Sequence, residues 1–178
     1  ARAVIEALHG DGHVKILYAG NNISSAYMKN IINQLEGKSV YINVIAKNFE
    51  TLEPGISFRI LRQYLKKRYG AEYGSRIFAT GTRESKLHEL CRTHGYTFLD
   101  FPDNIGGRYS GLCNVGLFPA AVSGIDIGSI AAGARSMEAE LHNTYGEENT
   151  AFQYAAIRNL LYQKGFRLEM LASFEPRY

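Results

Sequence analysis

The feature that most constrains the fold is an alternation of short apolar runs with amphipathic segments. The apolar runs are as long as strands that are buried on both faces: Val14–Ala19, Val40–Ala46, Arg76–Thr80 and Tyr96–Phe101. Between them, apolar residues recur at helical spacing, as in the segment after Ser24 and Ser25, either of which can cap a helix. Because strands that alternate with helices are typical of parallel sheets, the sequence predicts an α/β fold with an open, mainly parallel three-layer α/β/α sheet.

The same periodicity predicts the rest of the chain. Helices are expected after Pro54, over 85–94, 110–123 and 126–141, and in a last segment around Phe152 and Leu160. Residues 166–170 alternate apolar and polar side chains, which predicts a half-buried strand.

Composition excludes several classes of protein. The hydrophobic fraction of 46% excludes a disordered chain, and the net charge of +3 over 178 residues gives no argument for nucleic acid. No apolar run approaches the roughly 18 residues that cross a bilayer, so we expect neither a nucleic-acid nor a membrane partner. Two cysteines, Cys91 and Cys113, make neither a disulfide framework nor a four-ligand zinc site, which favours a reducing compartment. The start, Ala1–Leu8, has the pattern of the middle of a helix, so either processing or a cut from a longer enzyme is expected.

Three loops are candidates for a functional site, because parallel α/β sheets bind ligands beyond the carboxyl ends of their strands. The first loop is Gly20–Ser25, the second is Lys47–Glu53, and the third is Asp103–Ser110. The third combines paired glycines with Arg108, so that backbone and a guanidinium can approach a ligand together. The alternative to a binding role is that the paired glycines form only a turn and that Lys47 is only a surface lysine. From the residues alone, the sequence predicts a domain that binds a small anion such as phosphate.

The sequence gives no support for other kinds of catalytic or binding site. There is no Walker P-loop, His-Glu-x-x-His helix, nucleophile elbow or Cys-x-x-Cys pair, and the five histidines show no metal-ligand spacing. Cys91 lies at an apolar helical position, which favours a core side chain over a nucleophile.

The third loop also carries a family resemblance. Asp103–Ser110, continued by Val115–Ala121, closely resembles the Gly-Gly-Arg-Phe/Tyr-Ser signature of the glucose-6-phosphate isomerase family. Gly20–Met28 and Glu53-Pro54 with its following helix look like the Gram-positive bacterial type. Ile157–Tyr162 extends the match close to the C-terminus, so that the resemblance spans nearly all of the chain. It implies the first sugar-isomerase (SIS) domain of that family, with a flavodoxin-like fold. Residues 1–145 would be an SIS domain that lacks its first strand, and 146–178 a helix and strand that lead into a second SIS domain.

The resemblance implies a function as well. Members of the family interconvert glucose 6-phosphate and fructose 6-phosphate through an enediolate, in glycolysis and gluconeogenesis, without metal or organic cofactor. A sugar phosphate is then the partner, the location is cytoplasmic, and the full-length enzyme is a homodimer. By the same resemblance Arg108 is the catalytic cation, and the substrate-binding residues are Lys47, Asn48, Thr51, Gly106 and Gly107.

The second loop departs from the family's pattern. Where that pattern is Ser-Lys-Ser-Gly-Thr-Thr-Thr-Glu, residues 46–53 read Ala-Lys-Asn-Phe-Glu-Thr-Leu-Glu. Phe49 replaces a glycine and Glu50 adds a negative charge, so we expect weakened phosphate binding. The family's catalytic glutamate, histidine and second lysine would follow Tyr178, so this chain alone is expected to be an inactive fragment in a coupled assay. The alternative is a diverged, non-catalytic SIS module that binds a sugar phosphate or mediates assembly.

Overall fold

Three parallel strands form the centre of the computed structural model, which describes residues 2–8, 14–47, 49 and 51–174. They are β1 (Ile42–Ile45), β2 (Ile77–Gly81) and β3 (Thr97–Asp100), in the order β1-β2-β3. Ile45 lies opposite Thr80, and Gly81 lies opposite Asp100. Because all three strands run in the same direction, their carboxyl ends and the loops that follow them lie at one edge of the sheet.

Helices connect the strands in the expected order. Within the described residues they are α1 (Arg2–Leu8), α2 (Ser25–Leu35), α3 (Leu52–Tyr69), α4 (Lys86–His94), α5 (Asn114–Val122), α6 (Ile127–Asn143) and α7 (Thr150–Gln163). The hydroxyl of Ser24 accepts a hydrogen bond from the Tyr27 amide at the start of α2, and Ser85 does the same for the His88 amide in α4. The predicted helix at 110–123 is divided into a 3-10 helix, Gly107–Leu112, and α5.

The sheet is covered on both faces. On one face, Leu65 of α3 and Leu87 of α4 pack in a single buried cluster with Ile77 and Ala79 of β2, and all four side chains are fully buried. On the other face, the ring of Phe78 lies 5.0 Å from that of Phe118 in α5. The predicted three-layer α/β fold with a parallel sheet is therefore confirmed.

Two predicted strands are wrong. Residues 14–19 and 166–170 have no regular secondary structure. A strand needs a neighbouring strand for its backbone hydrogen bonds, and within the described residues the sheet contains only β1, β2 and β3. Contacts with side chains hold these segments instead. The Tyr27 hydroxyl donates a hydrogen bond to the Tyr18 carbonyl in the first segment, and Arg158 forms an ion pair with Glu169 of the second, at 2.8 Å.

The chain forms two compact units, Ala1–Ile125 and Asp126–Tyr178. The first contains the sheet. In the second, Asn149 is only 2% exposed, and its amide group donates to the carbonyls of Leu141 and Thr144 while its oxygen accepts from the amides at the start of α7. The predicted domains at 1–145 and 146–178 stay a prediction. No helix in the described part of the chain is both long and apolar enough to span a membrane.

Gly116 gives a test of how α5 is seated. A Cβ atom at this position would lie 2.1 Å from the carbonyl oxygen of Gly111, whereas a Cβ at Gly111 would meet nothing within 4 Å. Gly116→Ala is therefore expected to lower the free energy of unfolding by about 3 kcal/mol or more, and Gly111→Ala to change it by about 0.5 kcal/mol or less. Urea unfolding of both variants measures the difference, and equal values for the two would contradict this packing of α5.

Candidate functional site

The first loop lies close to the start of α3. Gly20 adopts a left-handed backbone conformation with φ +95°, and a Cβ atom there would lie 3.0 Å from the Cα of Pro54. Only glycine combines that backbone angle with so close an approach. The first loop therefore packs against the first turn of α3, directly after the second loop.

Lys47 joins the second loop to the third. Its ammonium group donates hydrogen bonds to the carbonyl oxygens of Asp103 and Ile105, at 3.0 and 2.9 Å. The same nitrogen lies 5.2 Å from the centre of the buried Phe101 ring. Two of the three N–H bonds of this predicted substrate ligand are thus engaged within the protein. The second and third loops, which follow β1 and β3, lie at one edge of the sheet, and the first loop packs against the start of α3.

Backbone hydrogen bonds hold the third loop, and the side chain of Arg108 is exposed on it. The Ile105 amide donates to the Pro102 carbonyl, and the Tyr109 amide donates to the Gly106 carbonyl. The buried hydroxyl of Ser110 donates to the Gly107 carbonyl at 2.7 Å. The exposed guanidinium of Arg108 makes no hydrogen bond, ion pair or ring contact with the residues that the structure describes. A fixed backbone with an uncommitted cation suits the binding of an anion.

The paired glycines differ in their surroundings. A Cβ atom on Gly107 would meet nothing within 4 Å, and one on Gly106 would meet only the Tyr109 ring, at 3.5 Å. Space is therefore open in front of the predicted substrate-binding residue Gly107, next to Arg108.

The second loop accommodates its unexpected aromatic residue, Phe49. Phe49 takes up a left-handed conformation, φ 57°, of the kind that glycine adopts most easily. Its ring lies edge-on to that of Phe58, 5.7 Å away, among the residues packed against the core. The predicted substrate ligand Asn48 and the acidic Glu50 lie outside the described residues.

Thr51 is exposed at the N-cap of α3, an 18-residue helix, and its hydroxyl makes no capping bond. A helix N-terminus favours anions because its first amides lack partners and its dipole is positive there. Glu53 in the first turn partly offsets that field. The hydroxyl of Thr51 is thus available to a ligand at this end of the helix.

Sequence reasoning missed Thr82, which follows β2. Its hydroxyl donates to the Lys47 carbonyl at 2.9 Å, and the side chain is buried. The signal was present, since a hydroxyl residue directly after a buried parallel strand faces the same edge of the sheet as the loops.

No group of three or more His, Cys, Asp or Glu side chains is placed to hold a metal ion anywhere in the described ranges. The described groups that can meet a ligand at the site are the Arg108 guanidinium, the Thr51 hydroxyl and the backbone of Gly107, which suit a phosphate or another oxyanion.

Cys91 has the environment of a core side chain. It is 4% exposed in α4, and burial raises the pKa of its thiol to about 11. Cys113, in contrast, is half-buried directly after the 3-10 helix of the third loop.

We expect iodoacetamide at about pH 8 to modify Cys113 and spare Cys91, because the thiolate is the reactive species and only about one in a thousand Cys91 thiols is ionised three units below its pKa. In a Cys113→Ser variant the remaining label should appear only as the chain unfolds. Rapid labelling of that variant in the native state, read by mass spectrometry, would contradict the burial of Cys91.

The chain resembles known proteins over nearly its whole length. Residues 2–174 match the phosphoglucose isomerase family. The glucose-6-phosphate isomerases of Staphylococcus saprophyticus and Staphylococcus aureus are 45% and 43% identical to it, over 99% of the chain. The chain spans 41% of the length of these relatives.

Solved structures show the same fold. A hypothetical protein from Thermus thermophilus superposes with a TM-score of 0.82 at 22% identity, over 89% of this chain and 38% of that one. A glucose-6-phosphate isomerase from Chlamydia trachomatis superposes with a TM-score of 0.65 at 20% identity, over 79% of this chain and 27% of that one. The likeness at such low identity concerns the fold, and it agrees with the α/β class predicted from the sequence.

Proposed function

Because the chain belongs to the phosphoglucose isomerase family, we propose that it is part of an enzyme that interconverts glucose 6-phosphate and fructose 6-phosphate. The observation that carries the proposal is the pair of hydrogen bonds from Lys47 to the carbonyls of Asp103 and Ile105. They hold the loop that contains Arg108 beside the loop that contains Thr51. One edge of the sheet thus combines a hydroxyl at a helix N-terminus with a guanidinium that has no partner among the described residues.

The reaction needs a cation where charge develops. Isomerisation removes a proton from C2 of the open-chain aldose and returns one to C1, and the intermediate enediolate carries a negative charge on oxygen. A guanidinium already in place stabilises that charge without reorganisation. Arg108 fits this role, because its side chain is exposed and uncommitted among the described residues, while its backbone is fixed by the Gly106–Tyr109 and Gly107–Ser110 bonds.

The phosphate group of the substrate would bind at the second loop. Thr51 offers a hydroxyl that makes no capping bond at the start of α3, where the helix dipole favours an anion. Asn48 is proposed as a further ligand from its place in the family's pattern, and the backbone of Gly106 and Gly107 borders the open space beside Arg108. In this proposal the second loop binds the phosphate end of the substrate, and Arg108 lies beside its reacting carbons.

A second candidate function is a non-catalytic SIS module that binds a sugar phosphate or mediates assembly. It is favoured by Leu52, whose side chain is 61% exposed where the family's pattern has a threonine. The place in glycolysis and gluconeogenesis, the cytoplasmic location, the SIS domain and the homodimer of the full-length enzyme are part of the first proposal, and they follow from the family alone.

Replacing Arg108 tests the catalytic part of the proposal. We expect Arg108→Met to weaken fructose 6-phosphate binding about 10-fold or more, because a charge-assisted hydrogen bond contributes about 1.5–3 kcal/mol. Arg59→Met is the matched control, since Arg59 is also exposed and without a partner in the described residues. Isothermal titration calorimetry measures both. Wild-type affinity in the Arg108 variant would remove this residue from the site, and an absence of binding by the wild-type chain would leave assembly as the function.

Replacing Thr51 tests the phosphate end. Thr51→Val removes the hydroxyl and keeps the shape of the side chain, so we expect affinity for inorganic phosphate to fall about 10-fold. Thr93→Val is the control, because Thr93 is exposed in α4 and its hydroxyl bonds only to the Glu89 carbonyl of the same helix among the described residues. Phosphate titrations followed by NMR give both affinities, and equal affinities would place the phosphate elsewhere.

A further inference from the structure

Lys47 occupies an unusual position in the network of bonds at the edge of the sheet. Its backbone lies two residues after β1, its carbonyl accepts a hydrogen bond from Thr82 after β2, and its ammonium donates to Asp103 and Ile105 after β3. One residue therefore ties together the chain segments that leave all three strands.

The hydrogen bonds of Lys47 are directed at the protein. Two of the three ammonium N–H bonds end on backbone carbonyls, and the Phe101 ring lies beside the group at 5.2 Å. At most one N–H bond of the ammonium group is then left for a phosphate dianion. The bonded carbonyls belong to residues three and five positions before Arg108, in the loop whose backbone carries that guanidinium.

The hydroxyl of Thr82 directs the lysine. The bond from its Oγ to the Lys47 carbonyl is 2.9 Å long, and the side chain is only 9% exposed. The Thr82 carbonyl is in turn fixed by the Ser85 hydroxyl at 2.7 Å, at the start of α4. The base of the lysine side chain is thus anchored to an element that packs in the core.

We propose that Lys47 and Thr82 are positioning residues that hold the third loop so that Arg108 faces the substrate, and that Lys47 is not primarily a phosphate ligand. The relay runs from the Thr82 hydroxyl through the Lys47 backbone and ammonium to the carbonyls of Asp103 and Ile105. The role in catalysis rests on the proposed function. The positioning of the third loop by Lys47 does not rest on the proposed function, so an experiment can contradict either claim without contradicting the other.

The first test measures the loop without any ligand. Amide hydrogen exchange is compared in wild type, Lys47→Met, Thr82→Val and the control Lys86→Met, whose lysine is exposed at the start of α4 and has no side-chain bond to the described residues. We expect exchange at the amides of Ile105 and Tyr109 to speed up about 10-fold or more in the first two variants. The Ala46 amide, which bonds to the Thr80 carbonyl, should stay unchanged. Unchanged exchange in the third loop would overturn the proposal.

The second test separates positioning from phosphate binding. The probes are inorganic phosphate and arabinonate 5-phosphate, whose carboxylate carries negative charge near the place where the enediolate would carry it. We expect Lys47→Met to weaken arabinonate 5-phosphate about 10-fold or more and inorganic phosphate by less than about 3-fold. Equal losses for both probes would make Lys47 a direct phosphate ligand and overturn the proposal. If wild type binds neither probe, the proposed function fails, and the exchange experiment still decides the relay.

Discussion

The structure depends on the burial of β2 between two layers of helices. Ile77 and Ala79 are fully buried against α3 and α4, while Phe78 meets Phe118 of α5 on the opposite face. A central strand covered on both faces fixes its neighbours in parallel register on each side. That register brings the carboxyl ends of β1, β2 and β3 to one edge, and every proposed functional residue lies in a loop or turn that follows this edge or in the helix start next to it.

The edge becomes a site through polar bonds between loops. A single ammonium group satisfies two backbone carbonyls of the third loop, and a buried threonine hydroxyl satisfies the carbonyl of that same lysine. Bonds of this kind stabilise a loop modestly, but they fix its position closely because charged donors prefer short distances. The guanidinium of Arg108 is left uncommitted among the described residues, and the proposed chemistry needs this combination of a held backbone and a free cation.

The second loop shows how an unexpected residue is accommodated. Phe49 stands where a glycine is expected, and its backbone adopts the left-handed conformation, φ 57°. The cost of that conformation is about 1 kcal/mol or more for a residue other than glycine. Its ring packs edge-on against Phe58, and this burial offsets part of that cost. The aromatic side chain therefore packs against the core, and the missing hydroxyls and the charge of Glu50 remain grounds for the expected loss of phosphate affinity.

Patterns along the chain were enough to predict the fold class, the helices and the three loops. Alternating apolar runs and helical periodicity reflect which side chains are buried, and each of these patterns can be recognised within its own segment. The Gly-Gly-Arg motif identified the family in the same way. The same patterns failed at 14–19 and 166–170, where the part of the chain that the structure describes offers a strand-like segment no strand to pair with. It took the folded chain to show that Lys47 points to the third loop and that Thr82 supports it. These bonds join residues 35 to 58 positions apart. A pattern along the chain does not predict which distant carbonyl a flexible side chain will reach.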